Sequence, residues 1–473
     1  MCYGYDALNR IRHIRYGNGV ETAYTYDGDG NVRTLETRAG KTVLLSFAYR
    51  YDGNGNRTAK TGTQATLGGI ISGSNVLDIS YAYDVRGQLL EERRNGASVC
   101  YAYDKAENRI RKTDAQGEIR YLYNAKNQLI TEESPADRNQ FSYDRQGGII
   151  EEKNLAGIRL FSYNNRHQQT RVETETGNVQ ENRYDAEGLR FELLENGRRT
   201  SFVYHDGELL HEEGREEQGT SYHLGAGMEA FRRGQELSYY HRDEQLSTVF
   251  VTDGHRNVQN SYQYDAFGMS LGTTEKLNNR IRYTGQQYDD VTGQYYLRAR
   301  YYNPVAGRFM QEDVYQGDGL NLYAYCGNNP VVYDDPSGYA STSTGKACPP
   351  KGKISESVDE SGTSSTTAGF DDWLGKGATD NKVYFGMKDG TAQYTGITKQ
   401  TKNARLNQHN NAGKAFDDLD IQYEGLTRNQ ARAIEQYYIE NGPNALNKIN
   451  SISPNNKYYQ DAMNWAKQYL GVE

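Results

Sequence analysis

The sequence predicts a mainly β chain of repeated antiparallel hairpins, followed by a small α+β domain. Two observations carry the first half of that reading. The 473 residues include 50 Gly and 41 Tyr against only 12 Phe and 8 Pro, which is the mixture of amphipathic aromatic strands and glycine turns. A Tyr-Asp or Tyr-Asn pair also recurs along the chain, and Asp84, Asp104, Asn124, Asp144 and Asn164 follow one another in steps of 20. The second half rests on a change of period, because helical spacing replaces strand alternation in the last stretch, residues 381–473.

Each repeat reads as an alternating aromatic strand such as Tyr101-Ala102-Tyr103, a turn such as Asp104-Lys105-Ala106-Glu107-Asn108, and a second alternating strand. The Asp or Asn side chain bonds backbone two residues on, and the Gly or Asn near the turn's end tolerates positive φ. A lone hairpin of this length is marginal, so consecutive units pair edge to edge into one long winding sheet spanning residues 1–281. From 282 to 339 the period breaks into a closing segment. Residues 340–380 are rich in Ser, Thr and Gly, carry Pro349-Pro350, and hold only a short apolar spot at Phe370, Trp373 and Leu374; they read as a linker. In the last domain, Val383-Tyr384-Phe385 and residues 392–398 read as strands around the Lys388-Asp389-Gly390 turn. Helices are expected at 401–409, at 427–440 with Thr427 as N-cap, and at 457–470.

Composition excludes several classes. Cys2, Cys100, Cys326 and Cys348 stand far apart with no C-x-x-C pair, so neither a disulfide framework nor a cysteine zinc site is supported. No run approaches a membrane span, and the N-terminal residues lack the apolar centre of a signal peptide. The net charge is −8, yet residues 381–473 carry 11 Lys and Arg against 9 Asp and Glu. That margin alone is weak evidence for nucleic acid, since a binding face needs a cluster. The repeats begin within the first six residues without a polar cap, as expected of a fragment of a longer array.

The Tyr-Asp units resemble the YD repeats of Rhs and teneurin-like proteins, whose strip of hairpins spirals into a hollow shell. The run RYTGQQYDDVTGQYYLRARYYNPVAGRFMQEDVYQGDGLNLYAYCGNNPVVYDDPSG, Arg282 to Gly338, resembles the Rhs-associated core that ends such arrays. The resemblance implies that Asp313 and Asp335 form an aspartyl protease acting on the chain itself, at the Tyr339-Ala340 bond. Such chemistry asks for two carboxylates close enough to share a proton. Asp313 lacks the family's following Pro, and Tyr339 stands where the family has Leu. Read from the residues alone, Asp335-Pro336-Ser337-Gly338 is simply a β-turn and Asp313 one more turn aspartate.

The last domain carries an ordered polar set. Tyr384 lies in Lys382-Val383-Tyr384 and Tyr394 in Tyr394-Thr395-Gly396, Arg405 and His409 are at i and i+4 of one helix, Glu435 is mid-helix, and Asn447 follows Leu446. The order resembles the GIY-YIG nuclease domain, with Lys382 and Thr395 departing from the motif's Gly and Ile. Phosphodiester hydrolysis asks for a deprotonated water, a fixed cation for the phosphorane's charge, and a metal or acid for the leaving oxygen. The resemblance implies Tyr384 as base or water-orienting group, Arg405 on the phosphate, Glu435 as ligand of one Mg²⁺, and Tyr394, His409 and Asn447 as orienting groups. A lone carboxylate with waters suits Mg²⁺. Taken singly, each of these residues is ordinary packing or surface.

The reading that joins both halves is an Rhs-type polymorphic toxin, whose shell encloses an endonuclease that is released into a competitor cell. It implies delivery into a target cell without an ordinary signal peptide. Its implied partners are nucleic acid, DNA before RNA, a cognate immunity protein and secretion machinery. The alternatives are a structural or adhesive YD-repeat surface protein with an inactive tail, and an RNase toxin, since no RNA-recognition motif is evident.

Overall fold

A computed structural model describes residues 1–67, 76–214, 218–314, 321–343, 374, 381–411, 414–442, 451–452 and 458–470. The chain divides into two compact units, Met1–Lys353 and Ile354–Glu473. No helix among the described residues is long and apolar enough to cross a membrane.

The first unit contains a 26-stranded sheet running from β1 (Cys2–Tyr5) to β26 (Ser270–Glu275). Every strand pairs antiparallel with its sequence neighbour, as at Ala97–Tyr103 with Arg109–Asp114 and Gly117–Tyr123 with Leu129–Glu133. The Tyr-Asp pair is the device that repeats. Each Asp caps its own turn: Asp144 Oδ1 accepts from the N–H groups of Gln146 and Gly148, both at 2.9 Å. The fourth residue of the turn takes positive φ, as Gly147 (88°), Asn127 (60°) and His167 (63°) do. The Tyr reaches back across the sheet and donates its hydroxyl to a backbone carbonyl of an earlier strand, 14 residues back where the period is 20: Tyr103 to Leu89 (2.9 Å), Tyr123 to Arg109 (2.9 Å) and Tyr143 to Leu129 (3.0 Å). Register slips by one residue just before these tyrosines, between Leu122 and Tyr123 and between Ser142 and Tyr143. That bulge sharpens the local twist, so the strip bends at every repeat.

Repeated bending returns the sheet upon itself. Gln64 Nε2 donates to the carbonyls of Val249 (2.9 Å) and Tyr262 (2.8 Å), and Asn18 Nδ2 donates to that of Asp253 (2.8 Å). Ile14, Leu35, Leu45, Phe47 and Ile79 share one apolar cluster with Tyr239, Val249, Phe250 and Val258.

The 282–339 segment belongs to the same compact unit as the repeats. It forms a short four-stranded sheet of β27 (Gln287–Asp289), β28 (Gln294–Leu297), β29 (Arg300–Asn303) and β30 (Arg308–Phe309). Tyr296, Tyr301 and Met310 pack against the inward repeat residues Tyr121, Leu129, Phe141, Ile149, Phe161 and Val172. Asp289 ties the layers together electrostatically. It accepts from Arg190 Nη2 (3.0 Å), Arg280 Nη1 (2.9 Å) and Gln180 Nε2 (2.8 Å), with no exposure of its own. Burial alone would raise its pKa, but Arg190 and Arg280 hold it below the usual carboxylate range.

Two further strands, β31 (Tyr333–Asp334) and β32 (Thr342–Ser343), pair with each other. The first residues of the expected linker are therefore bound back to the first unit, because Thr342 Oγ1 donates to Asp334 Oδ1 (2.8 Å). Burial lifts the Asp334 carboxyl to about 6. Of the remaining expected linker, only Leu374 lies within the described residues.

The second unit holds a three-stranded antiparallel sheet in the order β34 (Thr391–Thr398), β33 (Asn381–Lys388), β35 (Asp418–Leu426). Helix α1 (Lys402–Asn411) leads into β35, and α2 (Arg428–Asn441) and α3 (Tyr459–Leu470) follow it. Thr427 caps α2 in a reciprocal capping box with Gln430. Helices and the first two strands fall where the sequence puts them, within a few residues. Strand β35 was not among the expected elements, although Leu419, Ile421 and Tyr423 alternate with Asp418, Asp420, Gln422 and Glu424. Its charge density hides the period of two.

Candidate functional site

The central strand β33 places Tyr384 in the middle of the sheet, wholly buried. Its hydroxyl is 2.6 Å from His409 Nε2 and accepts from Arg405 Nε at 3.0 Å. His409 and Arg405 come from one face of α1, one turn apart. Tyr394 on β34 lies 6.3 Å from Tyr384 and 5.3 Å from His409, ring centroid to ring centroid. The structure thus brings Tyr384, Tyr394, Arg405 and His409 into one cluster.

Gly396 makes the close approach possible. A Cβ there would stand 2.5 Å from the Tyr384 hydroxyl oxygen and 2.7 Å from the Tyr394 ring. The glycine of the Tyr394-Thr395-Gly396 motif is therefore a packing requirement of the site itself.

Glu435, on α2, is buried and electrostatically felt by both tyrosines. Its Oε2 accepts from Ser451 Oγ at 2.5 Å. Burial raises its pKa, opposed by the Ser451 hydrogen bond and by Arg432, Arg405 and Arg428. Burial likewise raises Tyr384, and burial with the cations Arg405 and Lys414 pushes His409 down to about 4. At neutral pH the imidazole is uncharged, and in its Nδ1–H tautomer Nε2 accepts while the Tyr384 O–H donates. Asn447, the sixth expected member, lies outside the described residues. Lys414 escaped the sequence reading: its ammonium stands 3.5 Å from the Tyr394 ring centroid.

The first unit holds the second candidate site. Asp313 and Asp335 are both buried, and both contact the same nitrogen, Arg300 Nη2, at 2.8 and 3.4 Å. Arg300 also donates through Nε to the Gly338 carbonyl (2.5 Å) and through Nη1 to that of Leu322 (3.0 Å), and lies 3.5 Å over Phe309. Asp335 Oδ1 accepts the backbone N–H groups of Gly338 (2.8 Å), Tyr339 (3.2 Å) and Ala340 (3.2 Å). The turn expected at Asp335 is present, and its carboxylate also touches the amide nitrogen of the Tyr339-Ala340 bond. A guanidinium stands between the two carboxylates, so they meet through Arg300 and not as a bare pair. Beside them lies a cavity of about 350 Å³ whose walls include His167, Arg298, Gln311, Glu312 and Tyr339. Arg300 was not singled out in sequence, because nothing local marks which of the segment's arginines meets two distant aspartates.

A family profile described as the teneurin YD-shell matches residues 69–331, more than half the chain, and an RHS repeat profile matches residues 5–43. The chain belongs to the teneurin YD-shell family. This YD-shell chain is 31% identical over 352 residues to the tRNA nuclease WapA of Bacillus subtilis (strain 168), covering 71% of this chain and 12% of that protein. It is 38% identical over 177 residues to the tRNA3(Ser)-specific nuclease WapA of Bacillus spizizenii, covering 33% and 7%. The YD-shell chain thus spans only 7% to 12% of the length of these curated relatives. Among solved structures, a TcdB2-TccC3-Cdc42 crystal structure superposes on 71% of this chain and 21% of its own, at a TM-score of 0.38 and 17% identity.

Proposed function

We propose that the chain is an Rhs-type polymorphic toxin whose last domain is a GIY-YIG-like endonuclease. The observation that carries the reading is the Tyr384–His409–Arg405 cluster, in which one buried hydroxyl meets a neutral imidazole and a guanidinium. A free tyrosinate is disfavoured there by burial, so Tyr384 takes a proton from water only as it passes its own to His409 Nε2. The water oxygen then bonds to phosphorus as the P–O bond to the leaving oxygen breaks. Arg405 supplies the fixed cation for charge gathering on the phosphoryl oxygens. Tyr394 packs the ring stack that holds His409 in line.

Among the described residues no group of three or more His, Cys, Asp or Glu gathers to hold a metal. Glu435, a single carboxylate beside the tyrosines, fits the one protein ligand that a mostly hydrated Mg²⁺ takes. Bound there, Mg²⁺ supplies a Lewis acid for the departing oxygen. The substrate is DNA in the first reading. Two WapA relatives named as tRNA nucleases favour tRNA as the second, although they match over a small share of their own length.

The same proposal includes self-cleavage at Tyr339-Ala340, freeing the second unit for delivery into a target cell, where a cognate immunity protein would protect kin. Its support is the contact of Asp335 Oδ1 with the Ala340 N–H and the joining of Asp313 and Asp335 by Arg300.

The test is full-length chain incubated with Mg²⁺ and either plasmid DNA or tRNA. Arg405→Ala is expected to cut the rate by on the order of 10² to 10³, and Glu435→Gln to remove the Mg²⁺ response. Folded variants that cleave as well as wild type on both substrates would end the nuclease reading of this site, and a wild type that cleaves neither would end the nuclease reading itself. Processing is read on the same preparations: Asp313→Asn and Asp335→Asn should leave the chain whole, and a wild-type chain that stays whole defeats the self-cleavage reading.

A further inference from the structure

Lys414 is fixed by its surroundings. Its backbone N–H donates to the His409 carbonyl (3.1 Å), and two residues on, Phe416 is held reciprocally by Asn410, N–H to Oδ1 at 2.7 Å and Nδ2 to carbonyl at 2.9 Å. Phe416 in turn packs 5.3 Å from the His409 ring and 5.9 Å from that of Tyr394. The half-buried ammonium therefore sits over the Tyr394 face as part of the cluster, 3.5 Å from the ring centroid.

Two cations, Lys414 and Arg405, thus address one pair of tyrosines. Burial first and Arg405 second weaken the hold of Lys414 on its proton, and Glu435 alone opposes them. Ser451 Oγ already occupies Glu435 Oε2. His409 contributes no charge at neutral pH. Two cations set on one tyrosine pair present positive charge to an anionic group that approaches those rings.

We infer that Lys414 is a second phosphate-contacting cation of this site, and that with Arg405 it grips the backbone of a nucleic-acid strand. The inference rests on the nuclease reading of the cluster and adds to it a residue and a mode of substrate capture. A lysine is a compact point charge, suited to an oxygen of a phosphate that Arg405 already orients, or of its neighbour.

The test is binding of a fluorescent single-stranded oligonucleotide to full-length chain in EDTA, at a series of salt concentrations. Each phosphate contact contributes about 0.7 to the slope of log K against log salt on single strands. Lys414→Met is expected to lower the slope by about that amount, and Lys414→Arg to keep it. Lys414→Gln replaces Lys414→Met if the latter melts early. An unchanged slope in the folded Lys414 variant, with a lowered slope in Arg405→Ala, overturns the role of Lys414 and spares the nuclease reading. Slopes unchanged in both overturn the two together.

Discussion

Gly396 shows how narrowly the tail cluster is built. Tyr384 is wholly buried and bonded at its hydroxyl on two sides, so it has nowhere to retreat from a new methyl group. Gly396→Ala should therefore displace the hydroxyl from His409 and lower the cleavage rate by at least about tenfold, as small misplacements of reacting groups do. Because the glycine backbone needs no positive φ, the domain should stay folded, and circular dichroism with a rate measurement separates the two effects. His409 offers a second check at this scale. Its imidazole is held at about 4 in the fold against roughly 6.5 when free. Between those values the unfolded chain binds a proton that the folded chain does not, so stability is full above about pH 6.5 and falls as pH drops toward 4. His409→Asn should flatten that slope in melts of the second unit, followed by hydrogen exchange in α1.

At the scale of elements, the Tyr-Asp hairpin explains both the regularity of the sheet and what could be read beforehand. Tyr123→Phe keeps the ring but removes the hydroxyl's bond to the Arg109 carbonyl, at a local cost of about 1 kcal/mol. In a structure that is nearly a sum over neighbours, amides of residues 109–129 should exchange faster while those of the first repeats do not change. The strands and turns were legible because strand alternation and Asx turns are local and recur every 20 residues over much of the array. The hydroxyl's reach to a carbonyl 14 residues earlier was not, since it depends on register between strands. The tail divides the same way. Thr427 and the α2 cap were readable within four residues, and the meeting of Tyr384 with His409, 25 residues apart, was implied only by resemblance. Arg300 and Lys414 gave no signal, because their roles lie in distant partners. Asn447 stays an expectation.

At the scale of the first unit, Asp289 joins the closing segment to the sheet. Arg190 comes from the repeats, Arg280 from the chain just before the segment, and Asp289 from β27, all without measurable exposure. The pairing is weak evidence for net stability, since removing three charges from water is costly. Breaking it is another matter. Asp289→Leu leaves Arg190 to the neutral Tyr301 and Gln287, while Arg280 keeps Glu212 at 3.2 Å. An uncompensated buried guanidinium costs about 3–5 kcal/mol. The penalty falls on the seam between sheet and segment, because both arginines are also bonded to β27 or beside it. The segment is therefore expected to loosen before the repeats do. Limited proteolysis should cut within residues 282–338 in Asp289→Leu while the 76–214 strands resist, and Asp289→Asn should show a milder form of the same pattern. The Asp313, Asp335 and Arg300 contacts hang on that segment, so processing at Tyr339-Ala340 should slow although none of those residues is altered. Processing at the wild-type rate in a chain whose segment is demonstrably loosened would mean that the aspartate pair assembles independently of the seam.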